Sequence, residues 1–296
     1  MHILVTGGSG FVGYYLCKSL IEKNHEVSFT YFSHKCEIDG ADGYQLDLTR
    51  SQINLPIKNI ECIIHAAALA NVDLCEKDPI LAYQHNVKAT ENMIAFAQKT
   101  NSKFIYISTS FVFSGKKSFY TDKDEPCLSD APNVYGKTKL QGEILVKNSG
   151  LNYLILRIDQ PYYWHQPWQK ENTVTRTLKK LNKGEVVKEI LDWYNCPTFL
   201  PSFCDLVASL VNSEINGVYN AAGPDFISRF DWAKKIAKIF GYDETLIQPM
   251  HSSSLNLPAK RPNVNLDSTK IYSICGFKQA NIDEGVNKMF KQAPFL

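Results

Sequence analysis

The first half of the chain alternates short apolar runs with longer amphipathic segments. The apolar runs predict strands at residues 3–6, 27–32, 62–66, 104–108 and 151–158. The segments at about 10–23 and 80–99 predict the helices between them. Because the strand runs are apolar almost throughout, both faces of each strand should be covered. This pattern predicts an α/β fold built on a doubly wound parallel sheet.

A segment rich in proline and aromatic residues, residues 161–167, interrupts the pattern and marks the expected domain boundary. Residues 1–160 would form the first domain, and residues 161–296 a smaller C-terminal α/β domain. In the second half the periodicity is weaker, and it predicts helices at about 173–182, 202–212 and 229–240 and a strand at 217–222. Segments near 197–221 could pack with the first domain instead of the second.

Composition narrows the function classes. The 296 residues include 32 Lys and Arg against 30 Asp and Glu, a net charge of +2, which argues against a nucleic-acid partner held by bulk electrostatics. Apolar runs are too short to span a membrane, and the first residues do not resemble a secretory signal, so we expect a cytoplasmic protein. The eight cysteines lack metal-ligand spacing; we expect reduced, mostly buried thiols and no metal.

A glycine-rich segment, Thr6-Gly-Gly-Ser-Gly-Phe-Val-Gly13, follows the first predicted strand and opens the first helix. Glycines at this spacing allow a tight turn, a close approach to a pyrophosphate and close helix–strand packing, and the helix amides then hold the anion. We therefore expect residues 1–160 to be an NAD(P)-binding Rossmann domain. The cofactor-binding candidates in this segment are Gly7, Ser9, Gly10, Phe11, Val12 and Gly13.

The end of the second predicted strand should choose between NAD and NADP. An acid there binds the ribose 2′-hydroxyl of NAD, but the sequence has Ser33, His34 and Lys35, so NADP(H) is favoured over NAD(H). His34 and Lys35 could instead be solvated loop residues. Asp47 could meet the adenine or only form a turn. Ala66, Ala67 and Ala68, around the end of the strand at 62–66, are also assigned to the cofactor site.

Tyr135 and Lys139 are four residues apart and share one face of a helix. An ammonium beside a phenol should lower the pKa of Tyr135 from about 10, which would make it a usable proton donor near neutral pH. Upstream, the strand at 104–108 ends in hydroxyl side chains, and Thr109 is the candidate to orient a carbonyl group. The alternatives are a chance Tyr-x-x-x-Lys pattern and a Thr109 that caps local backbone.

Taken together, the motifs resemble the extended short-chain dehydrogenase/reductase family, and most closely its dTDP-4-dehydrorhamnose reductase branch. The superfamily pattern is the glycine-rich turn, the Ser-Thr strand end and Tyr-x-x-x-Lys. Segments closer to the branch lie at 72–79, 111–115, 135–143, 156–157, 192, 197–198, 261–263 and 266–267. The resemblance runs from residue 1 to about residue 276.

The resemblance implies a two-domain enzyme that uses NAD(P)H to reduce the C4 keto group of a nucleotide-linked 4-keto-6-deoxy sugar. Tyr135 would protonate the forming alkoxide, and Thr109 would polarise the carbonyl. Lys139 would lower the pKa of the tyrosine and hold the nicotinamide ribose. Thr109, Tyr135 and Lys139 are thus the catalytic candidates, and Pro161 would lie beside the nicotinamide.

The expected substrate-binding residues are Ser110, Gln160 and Arg261. Arg261 would clamp the diphosphate, since a guanidinium matches phosphate geometry, although an ordinary surface arginine fits the sequence equally well. A second set of residues could stack a nucleotide base but is more typical of a core: Trp164, Trp168, Trp193 and Tyr194.

The sequence also departs from the branch. The branch usually has acids where this chain has Ser110 and Ser114, and an aromatic residue where it has Gln160. These departures leave the identity of the sugar open. The absence of Asp-Glu after Thr109 argues against a sugar-nucleotide 4,6-dehydratase, whereas a 4-epimerase shares the same core residues and stays open.

A second class of function also stays open. The branch includes the regulatory β subunit of methionine adenosyltransferase, so the chain could be a non-catalytic, NADP-binding subunit. The enzyme is favoured because both Tyr135 and Lys139 are present. The expected partner is a nucleotide-sugar substrate, with no nucleic acid and no membrane. The helix at 80–99 and the Tyr135 helix could form the interface of a homodimer.

Overall fold

The computed structural model describes residues 1–293, and its centre is a sheet of seven strands. These strands are β1 (His2–Thr6), β2 (Glu26–Tyr31), β3 (Ala41–Gln45), β4 (Cys62–His65), β5 (Lys103–Thr109), β6 (Tyr153–Ile158) and β9 (Gly217–Asn220). Their order is β3-β2-β1-β4-β5-β6-β9, and each neighbouring pair is parallel. The doubly wound parallel sheet is therefore confirmed.

Helices cover both faces of this sheet. They are α1 (Phe11–Glu22), α2 (Val72–Lys77), α3 (Pro79–Tyr83), α4 (Ala89–Thr100), α5 (Val134–Lys147) and α7 (Leu200–Leu210). Ile3 and Val5 of β1 pack in one core with α1 and α7, while Leu4 packs in the core that holds α4. Alternate residues of β1 thus face opposite cores, which explains its continuous apolar run. The helix predicted at 80–99 is α3 and α4, joined by a π-helical turn at Gln84–Lys88.

The second half adds a smaller α/β layer. Its elements are α6 (Thr173–Leu181), β7 (Val187–Ile190), β8 (Tyr194–Asn195), β10 (Ile227–Ser228), α8 (Arg229–Ile239), β11 (Ile247–Met250), α9 (Thr269–Ile274) and α10 (Ile282–Lys291). β7 pairs with β11 in parallel, and β8 pairs with β10 antiparallel. Residues of α6, α8 and α10 share one core with Tyr162. Between these elements the chain returns to the large sheet, where α7 packs on α1 and β9 pairs with β6.

A buried ion pair fixes α5 to the sheet. Arg157 of β6 donates from Nε and Nη2 to the two carboxylate oxygens of Glu143 on α5, at 2.9 and 2.7 Å, and neither side chain is exposed to solvent. Ser108 of β5 donates to the same carboxylate at 2.6 Å. Buried charges of this kind are tolerated only when they are paired and hydrogen-bonded. The pair therefore sets the position of α5, and Glu143 lies one helical turn beyond Lys139.

His65 has a structural role. Its ring lies between the hydroxyls of Thr6 and Thr90, at 2.7 and 3.1 Å, and burial lowers its pKa to about 3, so it is neutral at physiological pH. All eight cysteines are free thiols, and six of them are buried. Within residues 1–293, no helix is long and apolar enough to cross a membrane, and no group of three or more His, Cys, Asp or Glu side chains could hold a metal ion.

Replacing Arg157 by Met should destabilise the fold strongly, because Glu143 would be left as a buried charge without its partner. We expect a loss of about 3–5 kcal/mol in the free energy of unfolding, measured by urea denaturation. Arg157→Met combined with Glu143→Met should recover most of this loss. The exposed pair Lys235–Asp283 serves as the control, and Lys235→Ala there should cost under about 1 kcal/mol. A cost that small for Arg157→Met would contradict the role given to the buried pair.

Candidate active site

Two adjoining cavities open along the carboxyl ends of the strands. The first, which we call the Asp47 cavity, has a volume of about 390 Å³. The second, the Tyr135 cavity, has a volume of about 410 Å³. Four residues line both of them: Gly7, Gly10, Ala66 and Ala68. The two cavities thus form one elongated site with the glycine-rich turn at its middle, a shape that suits a dinucleotide.

Most of the predicted site residues line these cavities. Ser9, Ser33, Asp47 and Ala67 lie in the Asp47 cavity. The Tyr135 cavity brings together Phe11, Val12, Gly13, Thr109, Tyr135, Lys139, Gln160 and Pro161. Four candidates line neither cavity: His34, Lys35, Ser110 and Arg261.

The glycine-rich turn requires its glycines. Gly7 has a φ of +70°, in the left-handed region that residues with a side chain rarely adopt. A Cβ on Gly13 would lie 2.3 Å from the carbonyl oxygen of Gly7, so α1 could not approach the turn this closely with any larger residue. The glycines at these positions therefore determine the conformation of the turn and its distance from α1.

The beginning of α1 is open to an anion. Its N-cap residue is Gly10, and within residues 1–293 no side chain caps this end and no acid lies in the first turn. The first backbone N–H groups of a helix lack partners inside the helix and carry the positive end of its dipole. Gly10 lines both cavities and the first residues of α1 line the Tyr135 cavity, so the residues present fit the pyrophosphate of a nicotinamide dinucleotide.

The loop after β2, where we predicted the choice between NAD and NADP, only partly lines the Asp47 cavity. Ser33 lines the cavity, but His34 and Lys35 are exposed to solvent outside it. The His34 ring instead stacks on Trp168, with ring centroids 5.6 Å apart and planes 17° apart. Asp47 both lines the cavity and forms a turn, since it accepts hydrogen bonds from the backbone and hydroxyl of Thr49. Asp47 therefore forms the predicted turn, while its contact with the adenine stays a prediction.

The start of α5 places Tyr135 against the end of β5. Asn133 caps the helix by accepting from Gly136 N at 2.8 Å, and its Nδ2 donates to the carbonyl of Lys260. A Cβ on Gly136 would lie 2.0 Å from the carbonyl oxygen of Phe111, so only glycine permits this contact. Thr109 lines the same cavity as Tyr135, and its Oγ1 accepts from Phe111 N at 3.2 Å. Thr109 therefore caps local backbone as well as facing the tyrosine.

The predicted lowering of the Tyr135 pKa is wrong in this arrangement. Burial raises the pKa of Tyr135 above its ordinary value. The Thr109 side chain acts in the opposite direction but does not cancel the effect of burial. The Lys139 ammonium does not pair with the phenol. Its Nζ donates to the carbonyl of Ile107 at 2.8 Å and lies 3.9 Å from the centre of the Tyr106 ring. Helix spacing put both side chains on one face but did not decide what each one contacts.

Lys139 is itself strongly perturbed. Burial lowers its pKa to about 7, and the nearby Glu143 carboxylate opposes this shift. A lysine with such a pKa is present in both charged and neutral forms near neutral pH. Any group that brings negative charge into the Tyr135 cavity would favour the charged form.

Ser110 and Arg261 are placed differently from the prediction. Ser110 is fully buried, and its hydroxyl donates to the Asp159 carboxylate at 2.9 Å, so it lies behind the cavity wall. Arg261 pairs with Asp73 at 2.7 Å and donates to the carbonyl of Ala259. It lines a separate cavity of about 400 Å³ that also contains Trp193 and Asp192. The structure thus does not bring Arg261 to Tyr135.

Sequence reasoning missed a segment from the second half that crosses the glycine-rich turn. Trp168 Nε1 and Gln169 Nε2 both donate to the carbonyl of Ser9, at 3.0 and 3.1 Å. Lys170 then lines the Tyr135 cavity opposite the start of α1. The signal was visible as the aromatic break at 161–167, but only the fold shows that this segment lies over the turn.

A second missed residue is Asp159, which lines the Tyr135 cavity immediately before Gln160. Gln160 has a φ of +38°, and its Oε1 accepts from the buried guanidinium of Arg229 at 3.0 Å. A non-glycine residue in this region of φ is uncommon and often marks a functional site. Nothing in the local sequence distinguished Asp159 from a turn residue.

Comparison with known proteins identifies the family. Residues 1–294 match the protein family described as RmlD substrate binding domain. The chain belongs to this family. The match spans nearly the whole chain, and it confirms the resemblance to the dTDP-4-dehydrorhamnose reductase branch that the motifs indicated.

Three relatives illustrate the range of the family. The chain is 28% identical to a probable low-salt glycan biosynthesis reductase, Agl14, from Haloferax volcanii, over 96% of this chain and 95% of the relative. It is also 28% identical to the methionine adenosyltransferase 2 subunit beta of Rattus norvegicus, over 92% and 82%. A crystal structure of a dTDP-4-dehydrorhamnose reductase ortholog from Clostridium acetobutylicum superposes with a TM-score of 0.83 at 26% identity, covering 99% of both chains.

Replacing Lys139 by Met should change the pH dependence of stability when no cofactor is added. The folded-state pKa of about 7 lies below the ordinary value of 10.5, so the unfolded chain binds more protons between these values and stability rises with pH across them. Lys139→Met removes this dependence. We expect the variant to gain on the order of 5 kcal/mol relative to wild type below pH 7 and to lose most of that gain towards pH 10. Urea denaturation at pH 6.5 and pH 9.5 measures the difference, and a pH-independent difference would contradict the perturbed pKa.

Proposed function

We propose that this protein reduces the C4 keto group of a nucleotide-linked 4-keto-6-deoxy sugar, with hydride from a reduced nicotinamide dinucleotide. The observation that carries the proposal is that Thr109, Tyr135 and Lys139 line one cavity, which is continuous with the glycine-rich turn. Membership of the RmlD family and the reductases among its relatives support this reaction class.

The chain's own residues would handle the proton. A raised pKa keeps Tyr135 protonated at physiological pH, and the protonated phenol is the form that a proton donor needs. The alkoxide that forms from a ketone is a stronger base than a phenolate, so transfer from Tyr135 Oη to the C4 oxygen is favourable. The Thr109 hydroxyl, in the same cavity, would orient the same carbonyl oxygen.

The cofactor would lie along both cavities. When bound, the reduced nicotinamide supplies the hydride that the sugar carbon accepts. The amides at the start of α1 hold its pyrophosphate, and Lys139 and Pro161 border the nicotinamide end. Ser33 lines the Asp47 cavity just after β2, where an acid would select NAD(H), and its uncharged side chain favours NADP(H) over NAD(H).

We assign the substrate to the side of the cavity that residues 161–296 help to form, in keeping with a substrate domain after residue 160. Gln160 lies there on the cavity wall. A second copy of the chain is proposed as the protein partner. Ile80 and Tyr83 of α3 and Ile144 of α5 are exposed large apolar side chains on two helices that contact each other.

The regulatory alternative keeps one specific support. The methionine adenosyltransferase 2 subunit beta is as similar in identity as the probable glycan reductase. A protein of that kind would keep the cofactor cavity without using the proton donor. The reductase and the regulatory subunit would therefore differ in turnover, but both would bind the cofactor.

The protein is mixed with NADPH and a panel of dTDP- and UDP-4-keto-6-deoxy sugars, and the absorbance of NADPH is followed. We expect NADPH to be oxidised with at least one of these sugars. Tyr135→Phe should lower kcat by about 10²-fold or more, because it removes the proton donor, while the Kd for NADPH changes little. Tight NADPH binding without turnover on any sugar would reject the reductase and favour the regulatory subunit. Unchanged turnover in Tyr135→Phe would reject its assigned role.

Replacing Ser33 by Asp should reverse the cofactor preference. A carboxylate at this wall position would accept a hydrogen bond from the 2′-hydroxyl of NAD and repel the 2′-phosphate of NADP. We expect the wild type to bind NADP more tightly than NAD and the variant to bind NAD more tightly, as measured by calorimetry with both dinucleotides. Lys235→Ala, at an exposed side chain that lines neither cavity, is the control that should keep the wild-type order. A wild type that prefers NAD would overturn the assignment of Ser33.

A further inference from the structure

Asp159 is a buried acid in the Tyr135 cavity that the mechanism above does not use. It follows β6 directly, it is 3% exposed, and it lines the cavity together with Thr109 and Tyr135. Burying a carboxylate without a purpose is costly, since the charged form loses its hydration. This cost suggests that the side chain of Asp159 binds a ligand. Its contacts indicate what kind of ligand group it could bind.

Three hydrogen bonds hold this carboxyl group, and together with the charge of Arg229 they oppose the rise in its pKa that burial causes. Oδ1 accepts from the Ser110 hydroxyl at 2.9 Å, and Oδ2 accepts from Cys196 N at 2.8 Å and from Asn195 Nδ2 at 3.4 Å. In the part of the chain that the structure describes, no lysine or arginine forms a salt bridge with it. A carboxylate can accept about four hydrogen bonds, so these three donors leave capacity for a donor from a ligand.

The three donors also fix the direction of the side chain. They come from the residue after β5, from β8 and from the backbone that follows it, and none of these three donor residues lines the Tyr135 cavity. Thr198 adds a reciprocal pair with the backbone of Asp159, at 3.1 and 2.8 Å. A carboxylate held at several points is preorganised to receive a hydroxyl without a further loss of side-chain entropy.

Ser110 and Asp159 form a pair that accounts for one departure noted in the sequence. The related branch usually has an acid at the position of Ser110, and this chain has a hydroxyl there. The hydroxyl lies behind the wall and donates to a carboxylate that lines the cavity from the neighbouring strand. A carboxyl group is therefore present at the site, but it is contributed by the residue after β6 instead of the segment after β5.

We propose that Asp159 is a specificity-determining residue whose carboxylate accepts a hydrogen bond from a hydroxyl group of the sugar, with Ser110 as its positioning residue. The inference rests on the proposed function. An ionised carboxylate only accepts hydrogen bonds, so it selects a sugar with a free hydroxyl at this point. It also disfavours a sugar that carries an acid group there, because two buried like charges repel each other.

The test exchanges the two side chains, with dTDP-4-dehydrorhamnose as the probe and the best sugar of the panel as a second one. Asp159→Ser should raise KM for the sugar nucleotide about tenfold or more, as expected for the loss of one hydrogen bond to a charged group. The Kd for NADPH should stay within about twofold. Ser110→Asp alone should also impair the enzyme, because two carboxylates would then share one buried site.

The double variant Ser110→Asp/Asp159→Ser is the decisive arm. It restores one carboxylate and one hydroxyl at hydrogen-bond distance, so it should recover at least about tenfold in kcat/KM over the worse single variant. With a UDP-uronic acid as substrate, kcat/KM should be low for both the wild type and the double variant, so no such recovery should be seen.

Asp122→Asn serves as the matched control. Asp122 is a partly buried acid that accepts from the backbone of Asn220, and it lies outside the Tyr135 cavity. Its replacement should change stability but not KM, and Tm of every variant is measured to separate misfolding from lost recognition. Asp159→Asn provides a second, nearly isosteric variant in case Asp159→Ser fails to fold.

The outcomes separate the two proposals. A wild type that turns over a sugar, together with an unchanged KM in Asp159→Asn and Asp159→Ser, would overturn the role of Asp159 alone. A double variant no better than either single variant would do the same. A wild type that binds NADPH but neither binds nor reduces any sugar nucleotide would reject the proposed function, and with it the role of Asp159.

Discussion

The parallel alignment of β1, β4, β5 and β6 is the constraint on which the rest of the site depends. In this register Thr6, His65, Thr109 and Ile158 end their strands at one edge of the sheet. Residues at or just after these ends, separated by up to about 150 positions in the chain, therefore line one cavity: Gly7, Ala66, Thr109 and Ile158. A parallel sheet covered on both faces leaves such an edge as the natural place for a ligand.

Features that depend on local spacing could be predicted from the sequence. The glycine-rich turn, the strands at 3–6 and 62–66 and the shared helix face of Tyr135 and Lys139 each follow from residues close together in the chain. The same local information placed Thr109 at a strand end. Sheet type could be inferred because continuous apolar runs require two covered faces.

Features that depend on distant partners could not be predicted. The Lys139 ammonium binds a carbonyl of β5 instead of the phenol, Arg261 pairs with Asp73, and Ser110 turns to Asp159. In each case the partner lies 32 or more positions away in the sequence and is chosen by packing. The segment through Trp168 was recognised as a break in the pattern, but its contact with Ser9 requires the second half to fold over the first.

Burial also changes what the charged residues can do. A net charge of +2 says little about a site in which Lys139 and His65 have lowered pKa values and Asp159 is held by neutral donors. The phosphates of a dinucleotide would meet backbone amides at the start of α1 instead of a basic surface. The cavity is thus set up for a weakly charged reacting centre beside a tightly held anionic cofactor.

The most direct test of the central claim follows the transferred hydrogen itself. The protein would be incubated with NADPH carrying deuterium at C4 of the nicotinamide, on the face that is transferred, and with dTDP-4-dehydrorhamnose. Mass spectrometry and NMR of the product should show one deuterium, at C4 of the sugar, and Tyr135→Phe should form this product far more slowly. Tight binding of the labelled cofactor with no deuterium in any sugar of the panel would contradict the account.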